Sequence, residues 1–326
     1  DQQVTFAGTG TYQAKSVDVR GGKVAVESGI TFAAKDLAHE RGLDIVVGSE
    51  QVSSDGKTRT YTHNKGNDLA FHGRSVNFGK TENDPVALLG STVNLDGARI
   101  EGANFVNAAA AQRIVSTDGA DGGVDVTAST GNALRAAGLE ITGSKDVYLV
   151  GGNVALTNGK IHATRDTKLV AVRNFTLSGN DMRAAASKEN ILHLDNTEVQ
   201  SGALIPINGK AQFVNNTKLT ATGGVYLLTG TSFSHEDRVL KGNVTKDNIV
   251  SMWDSKVTGM NVILAAGGVE VYQTSTVKAS DDLIATDVTR TDGSTASLLR
   301  DASSHVKLAG TESTEFIEQG ADKPVP

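Results

Sequence analysis

Residues 139–194 read LEITGSKDVYLVGGNVALTNGKIHATRDTKLVAVRNFTLSGNDMRAAASKENILHL, and this stretch decides the fold. Apolar residues recur in it every 21 or 22 positions, on three tracks: Ile161 and Met182; Val147, Leu169 and Ile191; Val154 and Phe175. A fixed period of this length is the signature of a solenoid, in which each repeat forms one coil. The period predicts coils of about 20–22 residues.

A second repeat supports the same architecture. It places a small polar residue two positions before an apolar one, beginning at Thr197, Thr217, Ser255 and Ser275, in steps of 20, 38 and 20 residues. We interpret the step of 38 as two short coils, with residues 232–234 (SFS) as the intervening copy.

Within each period, apolar and polar residues alternate, as in GNVALT (residues 152–157). Alternation at period two predicts short strands with one buried face, and the frequent Gly, Asn and Asp between them predict tight turns. No segment has a convincing helical pattern. The predicted fold is therefore all-β, a right-handed parallel β-helix whose strands pair with their copies in the next coil.

Composition excludes several classes of protein. Only 5% of the 326 residues are aromatic, so the core must consist of Val, Ile, Leu and Ala. The net charge is −6 and Lys and Arg form no cluster, which argues against a nucleic-acid partner. No apolar run is long enough to span a membrane. The absence of Cys favours a protein exported unfolded, although many proteins simply lack Cys.

The chain divides into a β-helix over residues 1–286 and an irregular final coil or flexible tail over 287–326. Two excursions are expected within the β-helix. Residues 49–66 contain an Asp-Gly turn signal between alternating segments, which predicts a projecting β-hairpin. Residues 234–247 are charged and predict a long loop. Both termini have the character of boundaries within a longer protein.

No catalytic, cofactor or metal site is predicted. None of the seven His lies at metal-binding spacing from another. The cluster at 235–237 (HED) is interpreted as a solvated face, and the Asp-rich 118–125 as a turn. Polysaccharide-cutting β-helices need converging carboxylates; Asp195, Asp254 and Asp282 fall near turns, but nothing in the sequence brings them together.

A binding surface is predicted from exposed polar and aromatic residues. The hairpin at 49–66 contributes Thr58, Arg59, Tyr61 and His63. Farther along the chain, outward-pointing aromatic residues are expected at four places, of which the second and last complete the predicted surface: Tyr148, Tyr226, Trp253 and Tyr272.

Several segments share a Gly-Gly-x-apolar-x-apolar pattern: GGKVAV (21–26), GGNVAL (151–156), GGVYLL (223–228) and GGVEVY (267–272). With the Ser/Thr-x-apolar segments that follow, they resemble the haemagglutinin repeats of the filamentous haemagglutinin family of two-partner-secreted exoproteins. The resemblance extends over most of residues 4–285 and is specific to a repeat type rather than to a function.

The resemblance implies a fibrous protein secreted to the surface of a Gram-negative bacterium through an outer-membrane transporter partner. It implies three possible roles: an adhesin segment that binds a protein or glycan receptor on a cell surface or serves as a spacer, or the stalk of a contact-dependent growth-inhibition toxin. The remaining alternative from the residues is a carbohydrate-active β-helix. The family supplies no catalytic residues, and neither its amino-terminal secretion domain nor a toxin module is recognisable in this chain.

Overall fold

The computed structural model describes residues 2–14, 17–27, 29–34, 42–72, 74–77, 85–118, 122–236, 239–245, 247–272, 275–286, 288–289, 297–300, 305–309 and 314–317. They form a parallel β-helix, which confirms the predicted all-β class. No helix occurs within these ranges.

Each coil contributes one strand to each of three parallel sheets, and each sheet contains eleven strands. Sheet A consists of β1 (Gln3–Phe6), β4 (Lys23–Val26), β9 (Asp68–Phe71), β12 (Thr92–Asn94), β17 (Ala133–Ala137), β20 (Asn153–Thr157), β25 (Ile191–Asp195), β28 (Ala211–Asn215), β33 (Ile249–Trp253), β36 (Gly268–Tyr272) and β39 (Val288–Thr289). Sheet B consists of β2 (Gly10–Ala14), β5 (Ile30–Ala34), β10 (Arg74–Asn77), β13 (Arg99–Glu101), β18 (Glu140–Ser144), β21 (Lys160–Ala163), β26 (Glu198–Ser201), β29 (Lys218–Ala221), β34 (Lys256–Gly259), β37 (Thr276–Ala279) and β40 (Ser297–Arg300). Sheet C consists of β3 (Val17–Gly21), β6 (Leu43–Val47), β11 (Pro85–Gly90), β14 (Phe105–Ala110), β19 (Asp146–Gly151), β22 (Asp166–Ala171), β27 (Ala203–Asn208), β30 (Gly224–Thr229), β35 (Asn261–Ala265), β38 (Asp282–Thr286) and β41 (His305–Ala309).

The core inside the coils is a stack of like residues. Val154 lies over Leu192 and Leu156 over Leu194 in sheet A, and all four side chains are buried. Their alternation with outward residues places one apolar side chain after another on the inner face of the strand. Each coil therefore buries its apolar face mainly against its two neighbours.

Coil length alternates between short and long. Asn153 pairs with Ala133, 20 positions earlier, whereas Leu192 pairs with Val154, 38 positions earlier. The predicted period of 20–22 residues thus holds for the short coils and is wrong for the long ones. The tracks that join Ile161 to Met182 and Val154 to Phe175 are also wrong, because Met182 and Phe175 belong to a hairpin inserted in the long coil.

The Ser/Thr repeat marks one corner of the coil, as its spacing predicts. The backbone N–H groups of Thr197, Thr217 and Ser255 donate to the hydroxyl oxygens of Thr217, Ser255 and Ser275, at 3.3, 3.0 and 3.0 Å. All four side chains are buried. The step of 38 residues is a single coil rather than two, so the interpretation of residues 232–234 as an intervening copy is wrong.

The additional residues of the long coils form antiparallel hairpins, which pair with one another in a fourth sheet of nine strands, here called the hairpin sheet. Its order is β42 (Thr314–Ile317), β32 (Val239–Asn243), β31 (Ser232–Glu236), β24 (Asp181–Ala185), β23 (Asn174–Ser178), β16 (Gly123–Thr127), β15 (Arg113–Thr117), β8 (Thr58–Thr62) and β7 (Ser49–Val52). The predicted hairpin at 49–66 exists, but it does not project freely, because β8 pairs with β15. The loop predicted at 234–247 is largely the hairpin of β31 and β32.

Each of three successive hairpins returns to its coil through the same Ser/Thr-x-x-Asn turn: residues 129–132, 187–190 and 245–248. The Asn Oδ1 accepts a hydrogen bond from the backbone N–H three residues earlier, at 2.6–2.8 Å. The Asn Nδ2 donates to a carbonyl oxygen of a preceding coil, that of Ser91, Gly152 or Gly209. The three asparagines are 58 residues apart, so the repeating unit is a pair of coils, one short and one long.

The described parts of residues 287–326 continue this architecture. Strands β39, β40 and β41 extend sheets A, B and C, and β42 pairs antiparallel with β32 at the end of the hairpin sheet. These parts are strands of a further coil rather than the irregular or flexible segment that was predicted.

The hairpin sheet covers the outer face of sheet C and creates a second apolar core outside the coils. Val150, Val170 and Leu228 contribute to it from sheet C, and Phe175 and Phe233 from the hairpin sheet. Sheet C is consequently buried on both faces, as the continuous apolar runs of its strands require.

Candidate functional site: a groove beneath the hairpin sheet

Near the middle of the rod the two covering layers separate and leave a groove of about 1020 Å³. Its floor is the outer face of sheet C, including Tyr148, Lys168 and Tyr226. Its roof is the hairpin of β23 and β24 with the strands that follow, β31 and β32. The groove thus lies between two sheets whose positions are set by separate cores.

Lys168 is the most unusual residue of the floor, because its ammonium group lies in a side chain that is only 5% exposed. Its Nζ donates to the hydroxyl of Tyr148 at 3.2 Å and to the Asp166 carboxylate at 3.0 Å, and lies 4.5 Å from the centre of the Tyr148 ring. A buried charge is tolerated when it is paired and hydrogen-bonded in this way. Burial raises the pKa of Tyr148, and the nearby Lys168 charge offsets this only in part, so the phenol is neutral at physiological pH.

Tyr226 forms the far part of the floor, and its position depends on a glycine. Gly224 precedes it by two residues on the same face of β30, and a Cβ atom added there would overlap the Tyr226 ring. The ring therefore rests on the space that Gly224 leaves empty. Tyr226 is 7% exposed and belongs to the outer core rather than to the core inside the coils.

A fixed ion pair defines the rim where sheet B passes into sheet C. The guanidinium group of Arg165 binds both carboxylate oxygens of Asp146, with Nε to Oδ1 at 2.8 Å. Asp146 is buried, whereas the Arg165 side chain is largely exposed at the groove mouth. The hydrogen bonds and charge of Asp146 raise the pKa of Arg165, so this rim carries a permanent cation in a set orientation.

The roof presents an apolar and a polar part. Leu177, Met182 and Leu240 face the outer core, while Asp181 and His235 lie beside them on the lining. On the opposite face of the same sheet Arg183 pairs with Glu236 at 2.6 Å, which ties β24 to β31.

Toward the start of the rod, the corresponding space is filled by charged side chains. Arg20 contacts Asp44 at 2.9 Å and Glu50 at 3.2 Å, and Arg59 contacts Glu50 at 2.7 Å. Burial alone would raise the pKa of Glu50, but its hydrogen bonds to Arg59 and Arg20 and their charges outweigh burial and lower it. Burial raises the pKa of Tyr61, beside this network, to about 12.

The structure does not bring the predicted surface residues together. Thr58 and Arg59 are half-buried, Arg59 within the ion-pair network. Tyr61 is 7% exposed in the outer core, and His63 is 3% exposed where β8 returns to the coil. The hairpin therefore does not offer these two side chains to solvent, because the neighbouring hairpin covers them.

The predicted aromatic residues have different outcomes. Tyr148 and Tyr226 point out of the coils, but the expectation that they are exposed is wrong, because the hairpin sheet covers them. Trp253 is 40% exposed, in sheet A. The side chain of Tyr272, at the end of β36, lies outside the described residues.

Lys168, Arg165 and the roof residues were not predicted. One signal in the sequence points to them: the sheet C segments VYLV (147–150) and LVAV (169–172) are continuously apolar rather than alternating. Such runs are typical of strands buried on both faces, so they indicate a cover over sheet C.

The carboxylates considered for sugar cleavage are not neighbours. Asp195 pairs with Asn215 and Asn215 with Trp253, so a whole coil separates Asp195 from Asp254. The side chain of Asp282 lies outside the described residues, as does Asp237. Across the residues that the structure describes, His, Asp and Glu form no group of three able to hold a metal ion.

No helix in the described part of the chain has the length and apolar content needed to cross a membrane. Comparisons with protein-family models, with curated proteins and with solved structures give no match.

Proposed function

We propose that this chain is a non-catalytic segment of a large protein secreted by, or displayed on, a Gram-negative bacterium, and that it acts in cell adhesion. The observation that carries the proposal is the continuity of the three parallel sheets, each of eleven strands. At roughly 4.8 Å per coil, eleven coils form a rod on the order of 50 Å long. Such a rod holds a contact surface at a set distance from the cell that carries it.

The hairpin sheet supports a receptor-binding role over a purely spacing role. A shaft requires only the three sheets of the coils, whereas every second coil of this chain spends additional residues on a covering layer. That layer leaves a groove with fixed charges and aromatic groups, and binding sites commonly occur as concave surfaces of this kind. Loops and projections are also where solenoids usually carry their specific contacts.

The resemblance of the Gly-Gly-x-apolar-x-apolar segments to haemagglutinin repeats supports the proposed route to the surface, which is export through an outer-membrane transporter partner. The composition agrees with this route, because a chain without Cys cannot be trapped by a disulfide before it crosses the membrane.

The test is saturable binding of the fluorescently labelled chain to cultured epithelial cells and to Gram-negative cells. We expect saturation on at least one cell type and competition by excess unlabelled chain. The matched control is an unrelated β-helix of similar length, which should bind weakly and without saturation. Equal binding of both rods on every cell type would contradict an adhesive role and leave a shaft.

A further inference from the structure

We propose that the groove beneath the hairpin sheet binds a neutral oligosaccharide that lies along the rod axis. The inference rests on the proposed adhesive function and names the chemical class of its receptor. It is carried by the hydrogen-bonding groups of the floor, the charge balance of the lining and the sheet pairing beneath it.

The floor offers a hydrogen-bond donor from a built site. Lys168 is 95% buried, and an ammonium group has three N–H donors. Two of them are used by Tyr148 and Asp166, and the described residues supply no acceptor for the third. An acceptor from a ligand in the groove completes the coordination of this ammonium group.

The charge balance favours a neutral ligand over an acidic one. Arg165 and Lys168 stand against Asp146, Asp166 and Asp181, two cations against three carboxylates, which gives a net charge of −1 with His235 neutral. Each cation already contacts a carboxylate. A sialylated or sulfated chain would therefore meet uncompensated negative charge, whereas sugar hydroxyls both donate and accept and suit a lining of mixed sign.

The sheet pairing argues against an extended peptide. Peptides that bind to sheets add to an unpaired edge strand. The floor strand β22 is paired on both sides, with β19 and β27, and β30 is paired with β27 and β35. Recognition in the groove must therefore use side chains, as sugar binding does.

The spacing of the floor also fits a chain of sugar rings. Side chains of successive coils follow one another in register, Tyr148 beside Lys168 and Lys168 beside Ile205, at roughly 4.8 Å per coil. This spacing is close to the length of one pyranose unit in an extended chain. Half-buried Ile205 and Leu177 provide the apolar surface on which the faces of pyranose rings pack.

The experiment measures binding of the full chain to an array of immobilised tri- to hexasaccharides. Neutral chains of hexose and N-acetylhexosamine are printed beside the same chains carrying sialic acid or sulfate, together with Lys-rich and mixed peptides. The affinity for the best neutral oligosaccharide is then determined by titration calorimetry. We expect the neutral chains to bind more tightly than their acidic forms and the peptides.

Two variants test the location. Gly224→Ala places a methyl group where the Tyr226 ring now rests and forces the ring to move, so we expect the affinity to fall by about tenfold or more. The matched control is Gly268→Ala in sheet A, where an added Cβ meets no atom within 4 Å, and this variant should bind like the original chain. Lys168→Met removes the buried donor and should also weaken binding, with circular dichroism verifying that the β-helix is intact.

Three results would overturn the proposal: no oligosaccharide binds, acidic chains or peptides bind most tightly, or Gly224→Ala binds neutral chains as well as Gly268→Ala does. These results are distinct from failure of the adhesive function. Saturable cell binding that survives Gly224→Ala would keep the adhesin and reject the groove. Neutral-glycan binding without cell binding would keep the groove and reject the adhesin.

Discussion

The side-chain amide of Asn190 donates a hydrogen bond to the carbonyl oxygen of Gly152, at 2.5 Å, where a hairpin rejoins its coil. The same side chain accepts from the Ser187 backbone N–H at 2.7 Å and from the Ser187 hydroxyl at 3.1 Å, and it is fully buried. Asn190 thus closes the turn and joins it to the short coil. Asn132 and Asn248 repeat this arrangement in the preceding and following hairpin-bearing coils.

Replacing Asn190 by Ala should lower the free energy of unfolding by about 1–3 kcal/mol, because the Gly152 carbonyl and the Ser187 N–H lose a buried partner. Denaturant unfolding followed by circular dichroism measures the loss. The control is Asn174→Ala, which removes an exposed amide whose contact with Thr127 is 3.4 Å long. Equal stability of the two variants would mean that the turn holds without its buried asparagine.

The hairpin sheet depends on the outer core, and Phe175 is the test of this dependence. Its side chain is 1% exposed between β23 and sheet C. Phe175→Ala should cost about 3–5 kcal/mol of local stability, through lost apolar burial and the cavity left behind. We expect limited proteolysis to cut near the tip of this hairpin, residues 178–181, much faster than in the original chain.

The control for Phe175→Ala is Thr176→Ala, which changes the next residue on the outer face of the same strand. It should leave the rate of cleavage nearly unchanged. Because stability in a solenoid is largely local, the parallel sheets should keep their circular dichroism signal while the hairpin opens. Loss of the whole signal at the first cut would show instead that the hairpin sheet and the coils unfold as one unit.

The coils were predictable from the sequence, because identical spacing of Thr197 and Thr217, and of Ser255 and Ser275, reflects identical position in a coil. The hairpins were mostly missed for a physical reason: hairpin strands alternate at period two just as coil strands do. Phe175 and Met182 therefore matched the coil pattern although they lie outside it. The Ser/Thr-x-x-Asn turns, 58 residues apart, separate the two kinds of strand, since only a hairpin returns through them.

The groove was only partly predictable. The outward direction of Tyr226 follows from its position after Val225, which is buried inside the coil. Its burial depends on strands of a different coil, and no pattern within one segment reports contacts between sheets. Lys168, Met182 and Tyr226 come from three separate strands, and only the register of the hairpin sheet over sheet C brings them together.

Asparagines with positive φ stack at one corner of successive coils, and Asn196 is the central one. Its φ is 47°, its Nδ2 donates to Asn158 at 2.6 Å, and its Oδ1 accepts from Asn216 at 3.1 Å. Asn196→Ala should cost about 1–2 kcal/mol, because Ala pays the left-handed penalty. Asn196→Gly should cost less, because Gly adopts this conformation without strain.

Denaturant unfolding of the two variants separates the backbone from the side-chain contribution. If Asn196→Gly proves as damaging as Asn196→Ala, the exposed amide ladder, rather than the conformation, stabilises this corner.

His63 makes the return of the first hairpin sensitive to pH. Its Nδ1 lies 2.6 Å from the Val47 carbonyl and donates to it, while Nε2 is buried without a partner among the described residues. Burial lowers the pKa of His63 below its usual 6.5, and the hydrogen bond to Val47 offsets this only in part. The folded state therefore holds the imidazole neutral, whereas the unfolded chain takes up a proton near pH 6.5.

It follows that the stability contributed by neutral His63 is fully present above about pH 6.5 and is lost as the pH falls from there toward the lowered pKa of the folded state. The measurement is the melting temperature of the original chain and of His63→Gln between about pH 7.5 and pH 5. We expect the original chain to lose more than the variant over this interval, since Gln does not titrate. Parallel losses would assign the acid sensitivity to other groups. A smaller loss in the original chain would contradict the sign argued from burial, because it would require the folded state to favour the imidazolium.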